Sequence, residues 1–365
     1  MSILFLASTP LHTFFALGLM RGPYRDRAHT LAMIDQPPGV RDYIADALQA
    51  DPEQAVAVVR FPALRSGVPA RSLLAQVSSF AARLAPSTIA VGNDHRLEFH
   101  AAVRGCPSAR RTYIDDGLYS YLPHPDAKPA WRERLSNWRR GVKYGLTVER
   151  PRWVGGSSAV QDAYVLLPPQ VHPGLAGKPV QALQRAWFAD PWVAAICASA
   201  AALAGVDAQR CASIRLLVLL PHPGFLRAEP ALARRIEALV HARLGRGEAV
   251  ALKSHPNAGG VPAGEQLRVP ADRIVELPAR LPVEVLAPLL PAGDTLIVGT
   301  LTTALLTLVL LGRGARVRSL VSQTSRGYNQ RAMAIYASVG IRPLEDETAT
   351  ANDVASRPAD EGKPA

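Results

Sequence analysis

The feature that most constrains this 365-residue chain is an alternation of short apolar runs with amphipathic stretches, which restarts once, at Ser213. In the first half, Ser2–Ala7, Thr30–Ile34, Ala55–Phe61, Thr88–Val91 and Arg111–Asp115 have the length and composition of strands. Between them, Pro10–Met20, Val40–Gln49, Arg71–Leu84 and Arg96–Val103 carry apolar residues at helical spacing. In the second half, Ile214–Leu220 (IRLLVLL) is a nearly unbroken apolar run, as a strand buried on both faces requires. Ala249–Lys253, Ile274–Leu277, Thr295–Val298 and Val317–Val321 follow as strands, with helices over Ala231–Leu244, Val283–Leu290 and Thr302–Leu311. Repeated strand–helix alternation predicts parallel sheets covered by helices on both faces. The fold class expected is therefore α/β, with two Rossmann-like domains facing each other across a cleft. The boundaries expected are 1–165 for the first domain, 166–212 for a helical connection, 213–343 for the second domain and 344–365 for a disordered acidic tail.

Charge narrows the partners. The net charge is +11, and the tail alone, with six acids against Arg357 and Lys363, contributes −4. A body so basic favours anionic partners: nucleotide phosphates, acidic sugars or anionic lipid. Nucleic acid is not expected, because no recognition motif accompanies the charge. Cys106, Cys197 and Cys211 are scattered and form no CxxC, so neither a zinc site nor a disulfide framework is indicated. The opening MSILFLA reads as a core strand, not an export signal, and the apolar run Leu296–Leu311 falls short of the ~20 residues a membrane span needs. A cytoplasmic protein, peripheral on the inner membrane at most, is expected.

Ligands of open parallel sheets bind at the carboxyl ends of the strands, so the loops after strands hold the candidate chemistry. After the fifth strand stands Tyr113-Ile-Asp-Asp-Gly-Leu-Tyr119, where neighbouring side chains point to opposite faces. One of Asp115 and Asp116 can face the cleft as a base while the other ties down a turn permitted by Gly117. An Asx-type turn with solvated acids is the structural alternative. After a strand of the second half stands Leu252-Lys-Ser-His-Pro-Asn257: His255 and Lys253 can meet a phosphate, and Pro256 restricts the backbone of His255. In Val298-Gly-Thr-Leu-Thr-Thr-Ala304, Gly299 allows close approach, and Thr302 or Thr303 can cap a helix and bind phosphate, or simply cap it. Ala7-Ser-Thr-Pro-Leu-His12 offers Ser8 and Thr9 as cleft-lining hydroxyls or as plain caps, and Val91-Gly-Asn-Asp-His95 makes a similar claim for Asn93.

In this order, the segments resemble the bacterial sialyltransferase and polysialyltransferase superfamily, above all the lipooligosaccharide sialyltransferases and capsule polysialyltransferases. Those families share an acidic-acidic-glycine motif, a His-Pro motif and a paired Ser/Thr motif on a GT-B architecture; this chain has Thr302-Thr303 where serine commonly stands first. The resemblance implies an inverting, metal-independent transferase without a cofactor. It would move sialic acid, or a related nonulosonate, from a CMP-sugar to a hydroxyl of a cell-surface glycan or glycolipid. It further implies Asp116 as base (Asp115 in reserve), His255, Thr302 and Thr303 at the phosphate, and Glu284 at the ribose. Alternatives are transfer of Kdo or another CMP-activated acidic sugar, a UDP-sugar 2-epimerase on the same kind of fold, and a non-catalytic glycan- or lipid-binding scaffold.

One segment stands outside this scheme. Trp131–Trp153 holds Arg132, Arg134, Arg139, Arg140, Lys143, Arg150 and Arg152 against only Glu133 and Glu149, with Trp138 and Tyr144 interleaved. It reads either as a surface for an anionic glycan or anionic inner-membrane lipid, or as a solvated helix face with its tryptophans buried. Oligomeric state, with a homodimer among the options, is left open by the sequence.

Overall fold

A computed structural model describes residues 1–37, 39–53, 55–64, 69–123, 129–256, 258, 260–291, 293–321 and 328–344. The tail assigned from the sequence therefore lies, apart from Leu344, outside the described residues, as does Asn257. Strands β1 (Ser2–Ala7), β2 (Ala28–Gln36), β3 (Val56–Pro62), β4 (Thr88–Val91), β5 (Arg110–Ile114), β6 (Asp162–Val165) and β7 (Val180–Ala182) form one sheet in the order β3-β2-β1-β4-β5-β6-β7. A second sheet holds β8 (Ile214–Leu219), β9 (Ala249–Lys253), β10 (Val275–Leu277), β11 (Leu296–Gly299), β12 (Val317–Ser319) and β13 (Arg342–Pro343), in the order β10-β9-β8-β11-β12-β13. Neighbouring strands pair in parallel throughout both sheets. These are the two Rossmann-like α/β domains of a GT-B-type architecture.

The apolar runs explain the sheets. From Ile3 to Ala7 every residue of β1 is buried, and so is β11 in full, because helices cover both faces of each sheet. Between the two sheets lies one continuous core, in which Phe5, Phe14, Phe15 and Phe188 of the first half are joined to Leu217, Leu305 and Leu308 of the second. The helix Pro191–Leu203, started by Asp190 as N-cap, packs on the first-half helix Tyr43–Ala50 and on Val283–Leu286 of the second half. It thereby fastens the halves together.

The first domain does not end at residue 165. Strand β7 lies within the stretch assigned from sequence to the 166–212 connection, and it extends the first sheet. Two strands escape the sequence pattern for physical reasons. Strand β6 (DAYV) begins with Asp162, an acid buried against the Arg110 guanidinium, and β7 is only three residues long with a polar middle.

In both sheets strand order reverses next to the first strand, at β1/β4 and at β8/β11, which opens a crevice at the carboxyl ends there. The loops after β1, β4 and β5 supply Ser8, Asn93 and Asp116. Those after β8, β9 and β11 supply His222, His255 and Thr302.

Candidate functional site

The site begins with a carboxylate held in place. Asp116 Oδ1 lies 2.8 Å from His12 Nε2, and its Oδ2 accepts from Asn93 Nδ2 at 2.8 Å. Each carboxylate oxygen thus receives one side-chain donor, while 13% of the Asp116 side chain stays exposed. His12 is buried near the start of the helix Pro10–Arg21, whose N-cap Thr9 accepts from the His12 N–H at 3.3 Å. The Ser8 N–H reaches His12 Nδ1 at 3.4 Å, which places the ring proton on Nε2, facing Asp116. Gly92 makes room for the ring: a Cβ there would stand 2.3 Å from it.

Asp115 does the opposite job. It is fully buried, and its Oδ1 accepts from the Gly117 N–H (2.6 Å) and Ser120 Oγ (2.8 Å). Its Oδ2 accepts from the Leu166 N–H (2.7 Å) and the Tyr121 hydroxyl. Burial pushes its carboxyl up to about 6, against the pull of these four donors. The two aspartates therefore divide: Asp115 locks the turn, and Asp116 keeps part of its side chain exposed.

The second half meets this turn directly. The helix Thr303–Leu310 starts at Thr302, whose hydroxyl accepts from the Ala304 N–H at 3.3 Å. Thr303 Oγ1 accepts from the Leu118 N–H at 3.2 Å, so the start of this helix rests on the residues that follow Asp116. The buried Tyr336 hydroxyl fixes the approach by accepting from the Thr302 N–H at 2.7 Å. Gly117 is indispensable here: its φ is +72°, and a Cβ would fall 1.9 Å from Thr303 Oγ1. Gly117→Ala is expected to lose at least about 2 kcal/mol of stability, since left-handed strain adds to a clash with a stiff β-branched side chain. Urea titration of the variant checks this; an unchanged midpoint would mean that the contact between the halves is loose.

At the ends of β8 and β9, the half-buried His255 ring meets His222 edge to face, with centroids 5.7 Å apart. Burial, then His222 and Lys253, hold the His255 pKa below the usual histidine range. His222 caps the short helix Pro223–Ala228 through Nδ1, 3.0 Å from the Gly224 nitrogen.

Other sequence candidates lie elsewhere. Lys253 does not offer its charge to the crevice: its buried Nζ donates to the Ala279 carbonyl at 2.8 Å, and burial lowers its pKa to about 8, opposed by Glu284. Glu284, expected at a ribose, is also buried and takes the Thr307 hydroxyl, and burial raises its pKa. A Cβ on Gly299 would stand 3.3 Å from side-chain carbons of Leu219 and Thr302, so its smallness serves packing at the end of β11. Pro256 is exposed and borders a cavity of about 700 Å³, whose walls include Tyr43, Arg210, Ser254, Glu276 and Arg280 but not Asp116. Among the described residues, no group of three or more His, Cys, Asp or Glu side chains is placed to hold a metal ion.

Two histidines were missed in sequence. His12 closes the Ala7–His12 segment, in which only the hydroxyls drew attention; its partner stands 104 positions away. His222-Pro223 repeats the His-Pro step of His255-Pro256 after the neighbouring strand, a signal present in the sequence but not used.

No family model matches this chain, and no curated protein matches it. Solved structures do. The chain is similar to the UDP-GlcNAc 2-epimerase of Methanocaldococcus jannaschii, with a TM-score of 0.54 and 9% identity over 98% of this chain and 92% of that one. It is similar to the UDP-GlcNAc 2-epimerase of Neisseria meningitidis bound to UDP-GlcNAc, with a TM-score of 0.51 and 11% identity over 98% and 91%. A putative UDP-N-acetylglucosamine 2-epimerase of Listeria monocytogenes aligns at 0.52 and 14% identity over 94% and 83%. At such identities the likeness establishes the fold, two Rossmann-like domains of GT-B type. It also corrects the expectation drawn from the short motifs: these whole-chain matches are epimerases of UDP-GlcNAc, not sialyltransferases that use a CMP-sugar.

Proposed function

We propose that the chain is an enzyme that binds a UDP-activated sugar across the carboxyl ends of both sheets, with Asp116 as its base and 2-epimerisation as its reaction. The observation that carries this reading is the carboxylate of Asp116, oriented by His12 and Asn93 beside the start of the helix Thr303–Leu310. The 2-epimerases with the same fold favour a UDP-sugar as ligand.

The chemistry suits the parts. A proton on C2 of a sugar has no neighbouring carbonyl to acidify it, so it leaves only as the C1–O bond to the diphosphate breaks. Asp116 takes the proton, the C2–H electron pair forms the C1=C2 double bond, and the C1–O pair departs with UDP. The negative charge then grows on phosphate oxygens, to which the Thr302 and Thr303 hydroxyls at the start of Thr303–Leu310 can donate. Return of a proton to the other face of C2, with the C1=C2 pair taking it up as a phosphate oxygen of the retained UDP bonds to C1 again, gives the epimeric UDP-sugar. His12 and Asn93 act as positioning residues, keeping both oxygens of Asp116 fixed.

A second reading, transfer of the sugar to an acceptor hydroxyl, uses the same base. It is favoured by the basic segment that leads from the helix Ala130–Tyr144 to Arg150, whose Nε donates to the His95 carbonyl next to the Asn93 loop, a surface suited to an acidic acceptor. Incubating the protein with UDP-GlcNAc in heavy water separates the readings. Epimerisation puts deuterium on C2 of the UDP-sugar, seen by proton NMR, without any acceptor and without net loss of UDP. UDP-sugars that stay unchanged until a glycan acceptor is added would replace it with transfer.

A further inference from the structure

The helix Ala130–Tyr144 faces the wrong way for a helix of a water-soluble domain. Trp131 (63% exposed), Leu135 (40%), Trp138 (66%) and Val142 (61%) succeed one another at spacings of four, three and four, so they form a single outward stripe. Its inner side is polar: Glu133, Asn137 and Arg140 lie there, with Arg140 Nη1 3.2 Å from Asn137 Oδ1 and 3.4 Å from Glu133 Oε1. Of the two sequence readings, the one with the tryptophans buried is thus excluded.

Charge flanks the stripe. Arg132, Arg139 and Lys143 lie along one side and Arg134 along the other, all exposed. Arg132 places its guanidinium 5.1 Å from the Trp131 ring centre. The helix is fastened to the body from behind, where Arg71 donates to the carbonyls of Lys143 (2.6 Å) and Val142 (3.2 Å) and Arg104 to that of Gly145 (2.8 Å). These contacts hold the stripe outward on a fixed base.

From this we infer that Ala130–Tyr144 is an interfacial helix that docks the protein onto an anionic lipid bilayer. Two tryptophans with aliphatic neighbours between them suit the boundary of headgroups and acyl chains, and basic residues on both flanks suit anionic headgroups. A second copy of this chain is the wrong partner, because it would bring one basic face against another in a protein of net charge +11. No helix among the described residues is long and apolar enough to cross a membrane, so attachment through this stripe would be peripheral. The inference does not rest on the proposed reaction.

Co-sedimentation of the full chain with sucrose-loaded vesicles tests it. The protein should pellet with vesicles of equal parts phosphatidylcholine and phosphatidylglycerol, much less with phosphatidylcholine alone, and should be released by high salt. Arg134→Gln with Arg139→Gln should weaken binding about thirtyfold, as two lost basic residues imply. Trp131→Ser with Trp138→Ser should weaken it by at least about tenfold while the thermal midpoint stays unchanged. Equal pelleting with both vesicle types, no pelleting, or indifference to either pair of substitutions would overturn the inference. So would a dimer in lipid-free sedimentation velocity that the tryptophan substitutions dissolve, since a second copy would then own the stripe.

Discussion

Asp116→Ala is expected to lower the rate of UDP-sugar turnover by about 100- to 10,000-fold while changing the affinity for UDP little, the range that loss of a positioned general base produces. Asp116 meets the requirements of that role together: its backbone is fixed, each of its oxygens has one donor, and its side chain remains partly open to the crevice. The pull of Tyr113 and Ser120 on the Asp116 N–H, both at 3.1 Å, keeps the turn in register. His12→Ala and Asn93→Ala should each cost less than loss of the carboxylate, because either one leaves the base in place with one donor remaining. Single-turnover kinetics and calorimetry with UDP read the two parts separately. If Asp116→Ala turned over normally, the base would have to be sought elsewhere.

Asp115→Ala should act on stability instead. It strips a partner from two backbone N–H groups and two hydroxyls in a fully buried spot, and about 3–5 kcal/mol of destabilisation is expected. The pH dependence carries its own sign. The folded-state pKa of Asp115, about 6, lies above its ordinary value of 3.8, so the folded protein holds this proton more tightly than the unfolded chain. Its contribution to stability is therefore fully present below pH 3.8 and is lost as pH rises through 6. The stability gap between the native protein and Asp115→Ala should widen on acidification from pH 7 to pH 4. Urea midpoints across that range check this; a gap that narrows would mean that the four donors outweigh burial.

Much of the fold could be read because burial on both faces leaves a plain mark. Runs such as β1 and Ile214–Leu220 admit little except buried parallel strands, and their alternation with helical spacing announces two wound domains. The motif order also put Asp116, Asn93, Thr302 and Thr303 at strand ends, where they stand. What could not be read depends on where side chains turn. Lys253 and Ser254 are buried neighbours, but only the serine lines the cavity at the end of β9; the lysine donates to the Ala279 carbonyl, with Glu284 as its opposing charge. The pairing of His12 with Asp116 spans 104 positions and depends on β1, β4 and β5 lying side by side. The choice of nucleotide was the weakest reading, because aspartates, a His-Pro step and paired threonines can serve any sugar nucleotide.

In the proposed mechanism one nucleotide sugar touches both sheets. Hydrogen–deuterium exchange with and without UDP-GlcNAc tests it most directly. Slowed exchange is expected in the loops after β4 and β5, residues 92–95 and 116–118, together with the segment 300–304 after β11, and no such pattern with CMP. Protection confined to the cavity between Arg210 and Arg280, or protection by CMP in place of the UDP-sugar, would contradict it.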